Sequence, residues 1–279
     1  MNHKFLLGSA IAAALLFGAN AASACAITAW SSATGLTVAD TGEPGAFKRY
    51  SGRCGLRIAD AATPRFVQDN TPADEKSYRV RVYYFTGNIT GATADIFQAR
   101  SNGGTNIIRV THDGNQLSFT TNTGGAAQSV IVADNAYYSI ELAWAAGTVA
   151  PATTGSLTGT VTGNSGNAAT ATVAGTVNFT GLANTADSIT DARIGIIAGV
   201  PTVTSAVFFD EFDSRRTTNP GRLLRGDANG NSSTTPADAT AILNEFNNGV
   251  LGAGQPDCGE NGAVTPADAT CVLNIFNNG

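Results

Sequence analysis

The C-terminal part of the chain contains two near copies of one segment, offset by 30 residues. The copies read DANGNSSTTPADATAILNEFNNG from Asp227 and DCGENGAVTPADATCVLNIFNNG from Asp257. Each begins with a twelve-residue stretch rich in oxygen-bearing side chains and continues with apolar residues at helical spacing. Such a loop provides the oxygen ligands that a hard cation such as calcium requires. The repeat therefore predicts a small all-α module of two calcium loops, each followed by a helix.

Counting each opening aspartate as position 1, the candidate ligands occupy positions 1, 3, 5, 7, 9 and 12. In loop one (residues 227–238) they are Asp227, Asn229, Asn231, the Ser233 carbonyl, Thr235 and Asp238. In loop two (residues 257–268) they are Asp257, Asn261, the Ala263 carbonyl, Thr265 and Asp268. Gly259 brings no side-chain oxygen to position 3 of loop two. With two carboxylates per loop, we expect about two calcium ions bound with dissociation constants on the order of 10⁻⁴–10⁻³ M.

The charge of this part of the chain favours the metal interpretation. Acids occur in both repeats, and no Lys or Arg follows Arg225. Uncompensated charge in a short module is repulsive, and divalent cations would offset it. The alternative is a polar linker whose aspartates have this spacing by accident.

These loops resemble a type I dockerin, in which two short calcium loops are each followed by one helix. The resemblance implies attachment to a cohesin-like partner in a polysaccharide-degrading complex. Dockerins usually carry small hydroxyl residues at loop positions 10 and 11, where this chain has Pro-Ala at 236–237 and 266–267. We therefore expect tethering or stabilisation rather than cohesin binding. We also expect four apolar residues to fill the core between the two helices: Leu243, Phe246, Leu273 and Phe276.

The four cysteines divide into two predicted pairs. Cys258 and Cys271 both replace alanines of the first copy, so the paired change predicts a disulfide that joins loop two to its helix. Cys25 and Cys54 remain as the second pair. A thiolate metal site is disfavoured because no CxxC spacing occurs.

The first 24 residues have the features of a signal peptide. A basic start precedes an apolar run from Phe5 to Ala19, and residues 22–24 read Ala-Ser-Ala, which fits a cleavage site. The run is too short for a transmembrane helix. We expect a secreted bacterial protein, and the alternative is a lipid anchor on Cys25.

Residues 25–216 are expected to form one mainly β domain, connected by a linker at 217–226 to the module at 227–279. Short alternating segments predict strands, such as 77–85 with its alternating Arg and Val, and Asp113-Gly114-Asn115 predicts a hairpin. The order of these segments resembles a concanavalin A-like or laminin-G-like jelly-roll sandwich of antiparallel strands. That resemblance implies carbohydrate or protein binding in many members and glycan hydrolysis in others.

The sandwich has few candidate catalytic residues. Glu211 and Asp213 would share one face of a strand but lack the third acid that jelly-roll glucanases carry. His112 is expected to be an exposed turn residue. No phosphate loop or dinucleotide motif occurs. Five aromatic residues are weighed as sugar-stacking platforms against core positions: Trp30, Tyr50, Tyr83, Tyr137 and Trp144.

The charge of the sandwich is balanced, which argues against nucleic acid as a partner. We therefore expect a non-catalytic, calcium-binding protein whose sandwich binds a polysaccharide or a cell-surface glycan. One alternative is a polysaccharide-degrading enzyme docked through its dockerin. Another is a structural protein of the cell surface or matrix.

Overall fold

The computed structural model describes residues 26–42, 47–148 and 153–278. The predicted signal peptide and Cys25 lie outside the described residues. Two antiparallel seven-stranded sheets and a pair of C-terminal helices are the main elements of the described part. Among the described residues, no helix is long and apolar enough to cross a membrane.

Both sheets draw their strands from distant parts of the chain. Sheet A has the order β1 (Ser32–Thr34), β4 (Arg65–Asp69), β14 (Asp191–Ala198), β7 (Ala94–Arg100), β8 (Asn106–Asp113), β9 (Gln116–Thr121) and β10 (Gln128–Ile131). Sheet B has the order β13 (Val173–Leu182), β12 (Gly155–Gly163), β11 (Tyr137–Ala145), β5 (Ser77–Phe85), β16 (Val207–Arg215), β3 (Gly55–Ile58) and β2 (Thr41–Gly42). A small ribbon pairs β6 (Asn88–Thr90) with β15 (Thr202–Ser205). This arrangement fits the predicted jelly-roll-like sandwich.

The core lies between the two sheets and follows the period of two that strands impose. In β5, Val80 and Val82 are buried in this core, while Arg79 and Arg81 face the other way. The predicted hairpin is confirmed, because β8 and β9 pair across a turn in which Gly114 has a φ of 58°. Glycine adopts this left-handed conformation without strain.

The two predicted helices are also confirmed, as α1 (Pro236–Asn248) and α2 (Pro266–Asn278). Pro236 occupies the first position of α1, where a missing N–H costs nothing. Thr235 and Asp238 form a capping box, which satisfies free N–H groups of the first turn. Gly249 ends the helix with a φ of 67°.

The prediction that four large apolar residues fill the core between the helices is wrong. Leu243, Phe246, Leu273 and Phe276 are 38, 51, 40 and 53% exposed. The helices instead meet through Ala239, Ile242, Ala269 and Val272, while Ala228 and the disulfide fill the remaining space. Leu243 follows the buried Ile242 by one residue and so points about 100° away from it. The four residues that were predicted to be internal therefore lie on an exposed side of the helix pair.

Candidate metal loops and sandwich cleft

The two loops adopt the same backbone conformation. Positions 4 and 6 have positive φ in both copies: 74° at Gly230 and 66° at Ser232 in loop one, and 61° at Glu260 and 76° at Gly262 in loop two. Only glycine takes this conformation without a steric cost. Ser232 and Glu260 therefore adopt it because the rest of each loop requires it.

In loop one, backbone N–H groups hold the first and twelfth carboxylates in place. Asp227 accepts hydrogen bonds from the N–H of Asn231 at 2.9 Å and of Ser232 at 2.8 Å. Asp238 accepts one from the N–H of Asn229 at 3.0 Å. The loop is thus folded back on itself, with both carboxylates bonded to its own backbone.

Loop two repeats these contacts. Asp257 accepts hydrogen bonds from the N–H of Asn261 at 3.1 Å and of Gly262 at 2.6 Å, and Asp268 accepts one from Gly259 at 2.7 Å. Burial, followed by the neighbouring Asp268 charge, raises the pKa of Asp257 to about 8. Burial also raises the pKa of Asp268. Two carboxylates thus lie close together in a buried loop.

The donor set of each loop fits calcium, which prefers carboxylate, amide, hydroxyl and carbonyl oxygens. Among the described residues, no group of three or more His, Cys, Asp and Glu side chains could hold a metal. A cation would therefore also depend on the neutral oxygens, of which the Asn231, Ser233, Asn261 and Ala263 residues are exposed. Bound calcium would offset the carboxylate charges and join each loop to its helix. The assignment of individual ligands stays a prediction.

One of the two predicted disulfides is confirmed. Cys258 and Cys271 are bonded, with their Cα atoms 5.9 Å apart, and both are fully buried. The bond joins position 2 of loop two to the interior of α2. Because Cys25 lies outside the described residues, the pair Cys25–Cys54 stays a prediction.

Glu260, at position 4 of loop two, connects the module to the sandwich. Its side chain is fully buried. It accepts hydrogen bonds from the Tyr50 hydroxyl at 2.9 Å and the Ser165 hydroxyl at 2.6 Å, and it pairs with Arg222. Its backbone carbonyl accepts a 2.8 Å hydrogen bond from the N–H of Tyr137. Loop two is therefore fastened to the sandwich by both the side chain and the backbone of one residue.

Further contacts extend this interface. Arg49 and Glu245 form a buried ion pair with 2.6 Å between Nη2 and Oε2. Lys48 donates a hydrogen bond to the Gly262 carbonyl and lies over the Phe85 ring at 4.8 Å. A Cβ at Gly262 would collide with that ring, so this position needs glycine for packing as well as for its φ. Sequence reasoning missed Lys48, Arg49 and Glu260 as interface residues.

The connecting segment, residues 217–226, lies against the outer face of sheet B. The N–H of Leu223 donates to the Tyr83 hydroxyl at 2.8 Å, and Arg81 donates to the Gly221 carbonyl at 2.8 Å. Arg225 donates to the carbonyl of Cys258 at 2.8 Å. The segment therefore bonds to sheet B at one end and to loop two at the other.

Four of the five aromatic residues that were considered as sugar-stacking platforms are fully buried. For these four, the interpretation as a surface platform is wrong. Tyr50, Tyr83 and Tyr137 form a cluster on the outer face of sheet B, with Tyr50 and Tyr83 stacked at 3.5 Å between ring centroids. The module and the connecting segment cover this cluster. Trp144 lies in the core between the sheets. Only Trp30 stays partly exposed.

Trp30 packs on Phe212, with ring centroids 5.3 Å apart. The aromatic pair contributes to two neighbouring cavities of about 340 and 450 Å³. Glu211 lines the smaller cavity and Asp213 the larger one. We call this region the Trp30 cleft. It brings together one aromatic candidate and both carboxylate candidates of the sequence analysis.

The expectation that Glu211 and Asp213 share a strand face is wrong. The pairing of β16 with β5 has a register shift between Asp210 and Asp213, and Glu211 there has a φ of 49°. Such a bulge adds one residue and breaks the alternation. Asp213 pairs with Arg215 at 2.8 Å, whereas Glu211 lies 3.8 Å from Arg81. Burial raises the pKa of Glu211, and the Arg81 charge partly offsets this.

His112 is not an exposed turn residue, so that expectation is also wrong. It is fully buried, and its Nδ1 lies 2.8 Å from the Tyr84 hydroxyl. Burial lowers its pKa to about 4. The hairpin turn begins two residues later, and the His112 side chain belongs to the core.

No family model matches the chain, and no curated protein matches it. Several solved structures are similar at low sequence identity. Cellulose induced protein, Cip1, is 15% identical, with a TM-score of 0.42 over 65% of this chain and 93% of that protein. The receptor binding domain of botulinum neurotoxin mosaic serotype C/D is 6% identical, with a TM-score of 0.40 over 60% of this chain and 39% of that one. Trypanosoma rangeli sialidase, in complex with the inhibitor DANA, is 13% identical, with a TM-score of 0.37 over 61% of this chain and 27% of that one.

Proposed function

We propose that this protein is a secreted calcium-binding protein in which the loop-helix module is a fixed part of a carbohydrate-binding sandwich. The observation that supports this proposal most strongly is the equivalent arrangement of the two loops. In both loops the carboxylates at positions 1 and 12 accept equivalent backbone hydrogen bonds. One loop with this arrangement could be accidental. Two copies with the same positive-φ positions support a shared ligand.

In this proposal calcium stabilises the whole chain. Loop two contacts the sandwich through Glu260 and Gly262, so a cation that orders the loop also orders the interface. At calcium concentrations 10 to 100 times the dissociation constant, one site stabilises the folded state by roughly 1–3 kcal/mol. The disulfide Cys258–Cys271 and the predicted signal peptide support export to an oxidising compartment.

Thermal unfolding of the full chain in calcium and in chelator tests this function. We expect calcium to raise the melting temperature, and magnesium to raise it less. Asp238→Asn and Asp268→Asn should each remove part of the increase, and the double variant all of it. Asp60→Asn is the control, because Asp60 is an exposed acid far from either loop in sequence. An increase that survives in the double variant would place calcium elsewhere.

A second candidate function is carbohydrate binding at the Trp30 cleft. The specific observation is the partly exposed Trp30 on Phe212, with acidic side chains on both sides of the pair. Aromatic faces pack against sugar rings, and carboxylates accept hydrogen bonds from hydroxyls. Trp30→Ala should abolish retention on an insoluble polysaccharide. Because Trp30 also packs on Phe212 and the core, thermal unfolding checks that the variant is folded at the temperature of the assay. Turnover of a polysaccharide that Glu211→Gln abolishes would instead support the enzyme alternative.

A third candidate function is docking to a cohesin-like protein. Leu243, Phe246, Leu273 and Phe276 are exposed at equivalent positions of the two helices, so they are free for a partner. Their exposure removes one argument against docking, although the Pro-Ala pairs remain another. Capture by immobilised cohesins in calcium, lost in Leu243→Asp/Leu273→Asp, would support this function. No capture would favour the stabilising role alone.

A further inference from the structure

A polar groove lies on the outer face of sheet B, where β11, β12 and β13 run side by side. It has a volume of about 360 Å³, and Asn219 and Pro220 of the connecting segment contribute to its lining. The Trp30 cleft shares no lining residue with this groove. The groove is therefore a separate site on the surface of the sandwich.

The strand register sets the composition of the groove. Glu141 on β11 lies opposite Thr160 on β12, which lies opposite Thr176 on β13. In the adjacent row, Thr158 lies opposite Asn178. Residues two apart on a strand share a face, and neighbouring strands lie about 4.7–4.9 Å apart. Hydroxyl and amide groups thus form a closely spaced array beside one carboxylate.

Within the part of the chain that the structure describes, Glu141 is the one ionisable residue that lines the groove. Its side chain is partly buried, and the structure gives it no hydrogen bond within the described residues. Arg81 lies directly opposite Glu141 on β5, but its hydrogen bonds go to the carbonyls of Gly221 and Glu211, and Arg222 pairs with Glu260. The two arginine charges partly offset the cost of burying the Glu141 carboxylate, and hydrogen-bond donors from a ligand would stabilise it further.

The chemistry of the lining defines the class of ligand. Thr and Asn side chains both donate and accept hydrogen bonds, whereas an ionised Glu accepts only. Among the described residues, no aromatic side chain and no cation lines the groove. The lining therefore favours a ligand that presents many hydroxyls. The Glu141 carboxylate adds a repulsion against anions, which the nearby charges of Arg222 and Arg81 partly offset.

We propose that this groove binds a neutral glycan chain, with Glu141 accepting hydrogen bonds from sugar hydroxyls and the Thr and Asn side chains bonding to neighbouring hydroxyls. β13 is the last strand of sheet B, and along its outer edge the Gln128 side chain of β10 bonds to the backbone N–H and carbonyl of Asn178. These bonds hold one wall of the groove in place. The connecting segment provides the opposite wall, and Arg222 and Leu223 attach that segment to loop two and to sheet B.

Affinity electrophoresis of the full chain in calcium tests the proposal. The probes are barley β-glucan and glucomannan as neutral polysaccharides, with polygalacturonate as the acidic comparison. We expect retardation by at least one neutral probe and none by polygalacturonate. Glu141→Gln and Thr160→Val should each weaken the neutral interaction by about tenfold. The first change replaces a charged acceptor by a weaker neutral one, and the second removes one hydroxyl that bonds to the ligand. Thr180→Val is the matched control, because Thr180 is exposed on β13 outside the groove.

Three results would overturn the proposal. They are the absence of retardation by every neutral probe, stronger retardation by polygalacturonate, and retardation that Trp30→Ala abolishes while both groove variants retain it. The last result would assign glycan binding to the Trp30 cleft and leave that candidate function intact. Thermal unfolding checks that each variant is folded. If Glu141→Gln is unstable, Thr160→Val decides alone, because it preserves the shape of the side chain.

Discussion

The hydroxyl of Tyr50 donates a 2.9 Å hydrogen bond to the buried carboxylate of Glu260. Tyr50 belongs to the sandwich and Glu260 to loop two, so the bond joins the two parts of the chain. The equivalent position of loop one is Gly230, which has a similar φ and no side chain. The two copies thus share a backbone but differ in function, because only loop two has this anchor.

Glu260→Ala should destabilise the sandwich as well as the module. Removing one partner of a buried ion pair typically costs about 3–5 kcal/mol, since the other charge is left unpaired. Both tryptophans, Trp30 and Trp144, lie in the sandwich. Denaturant unfolding followed by their fluorescence therefore reports on the sandwich alone. An unchanged midpoint, equal to that of Asp60→Ala, would show that the module and the sandwich are independent.

Replacing Cys258 and Cys271 by alanine should lower the free energy of unfolding by about 3 kcal/mol, because the bond closes a loop between residues with a sequence separation of 13. The variant recreates the alanines that loop one already carries at these positions. Chemical denaturation without reductant measures the loss. Reduction of the Cys258–Cys271 bond by dithiothreitol should destabilise the unmodified protein by a similar amount. The variant has no disulfide at these two positions for dithiothreitol to reduce. Equal stability of both proteins would contradict a structural role for the bond.

His112 should make the protein less stable in acid. Its pKa is about 4 in the folded protein and 6.5 in the unfolded chain, so protons bind preferentially to the unfolded state between these values. Stability should fall as the pH decreases from 6.5 to 4, by up to about 3 kcal/mol. His112→Gln should flatten this part of the stability–pH curve. An equally steep curve in the variant would assign the acid sensitivity to other groups.

The helix pair offers a test with adjacent residues. Ile242 is fully buried and Leu243 is 38% exposed. Ile242→Ala should cost about 2–5 kcal/mol, because it leaves a cavity, whereas Leu243→Ala should cost much less. Denaturant unfolding of both variants in calcium compares the two losses of stability. Equal losses would mean that Leu243 packs in the core after all.

Much of the fold could be predicted from local patterns. The segment 77–85 alternates between apolar and charged residues, and it forms β5 with the expected faces. The internal repeat predicted both helices and the Cys258–Cys271 bond, because two aligned copies reveal which changes occur together. These features depend on residues close in sequence or on direct comparison of the copies.

The interface could not be predicted in this way. Tyr83 and Phe85 alternate onto the outer face of β5, where a strand pattern implies solvent, yet the module covers them. The bulge at Glu211 likewise depends on how β16 pairs with β5. The sequence contained one indication of this interface. Glu260 replaces the Gly230 of loop one at a position that requires positive φ. A bulky residue at such a position indicates that another contact compensates for the strain.

Isothermal titration calorimetry of the full chain measures calcium binding by the two loops. We expect binding of about two ions with dissociation constants on the order of 10⁻⁴–10⁻³ M. Asp238→Asn and Asp268→Asn should each remove one of the two sites. Absence of binding heat at millimolar calcium, or binding that persists unchanged when both aspartates are replaced, would contradict calcium binding by the two loops.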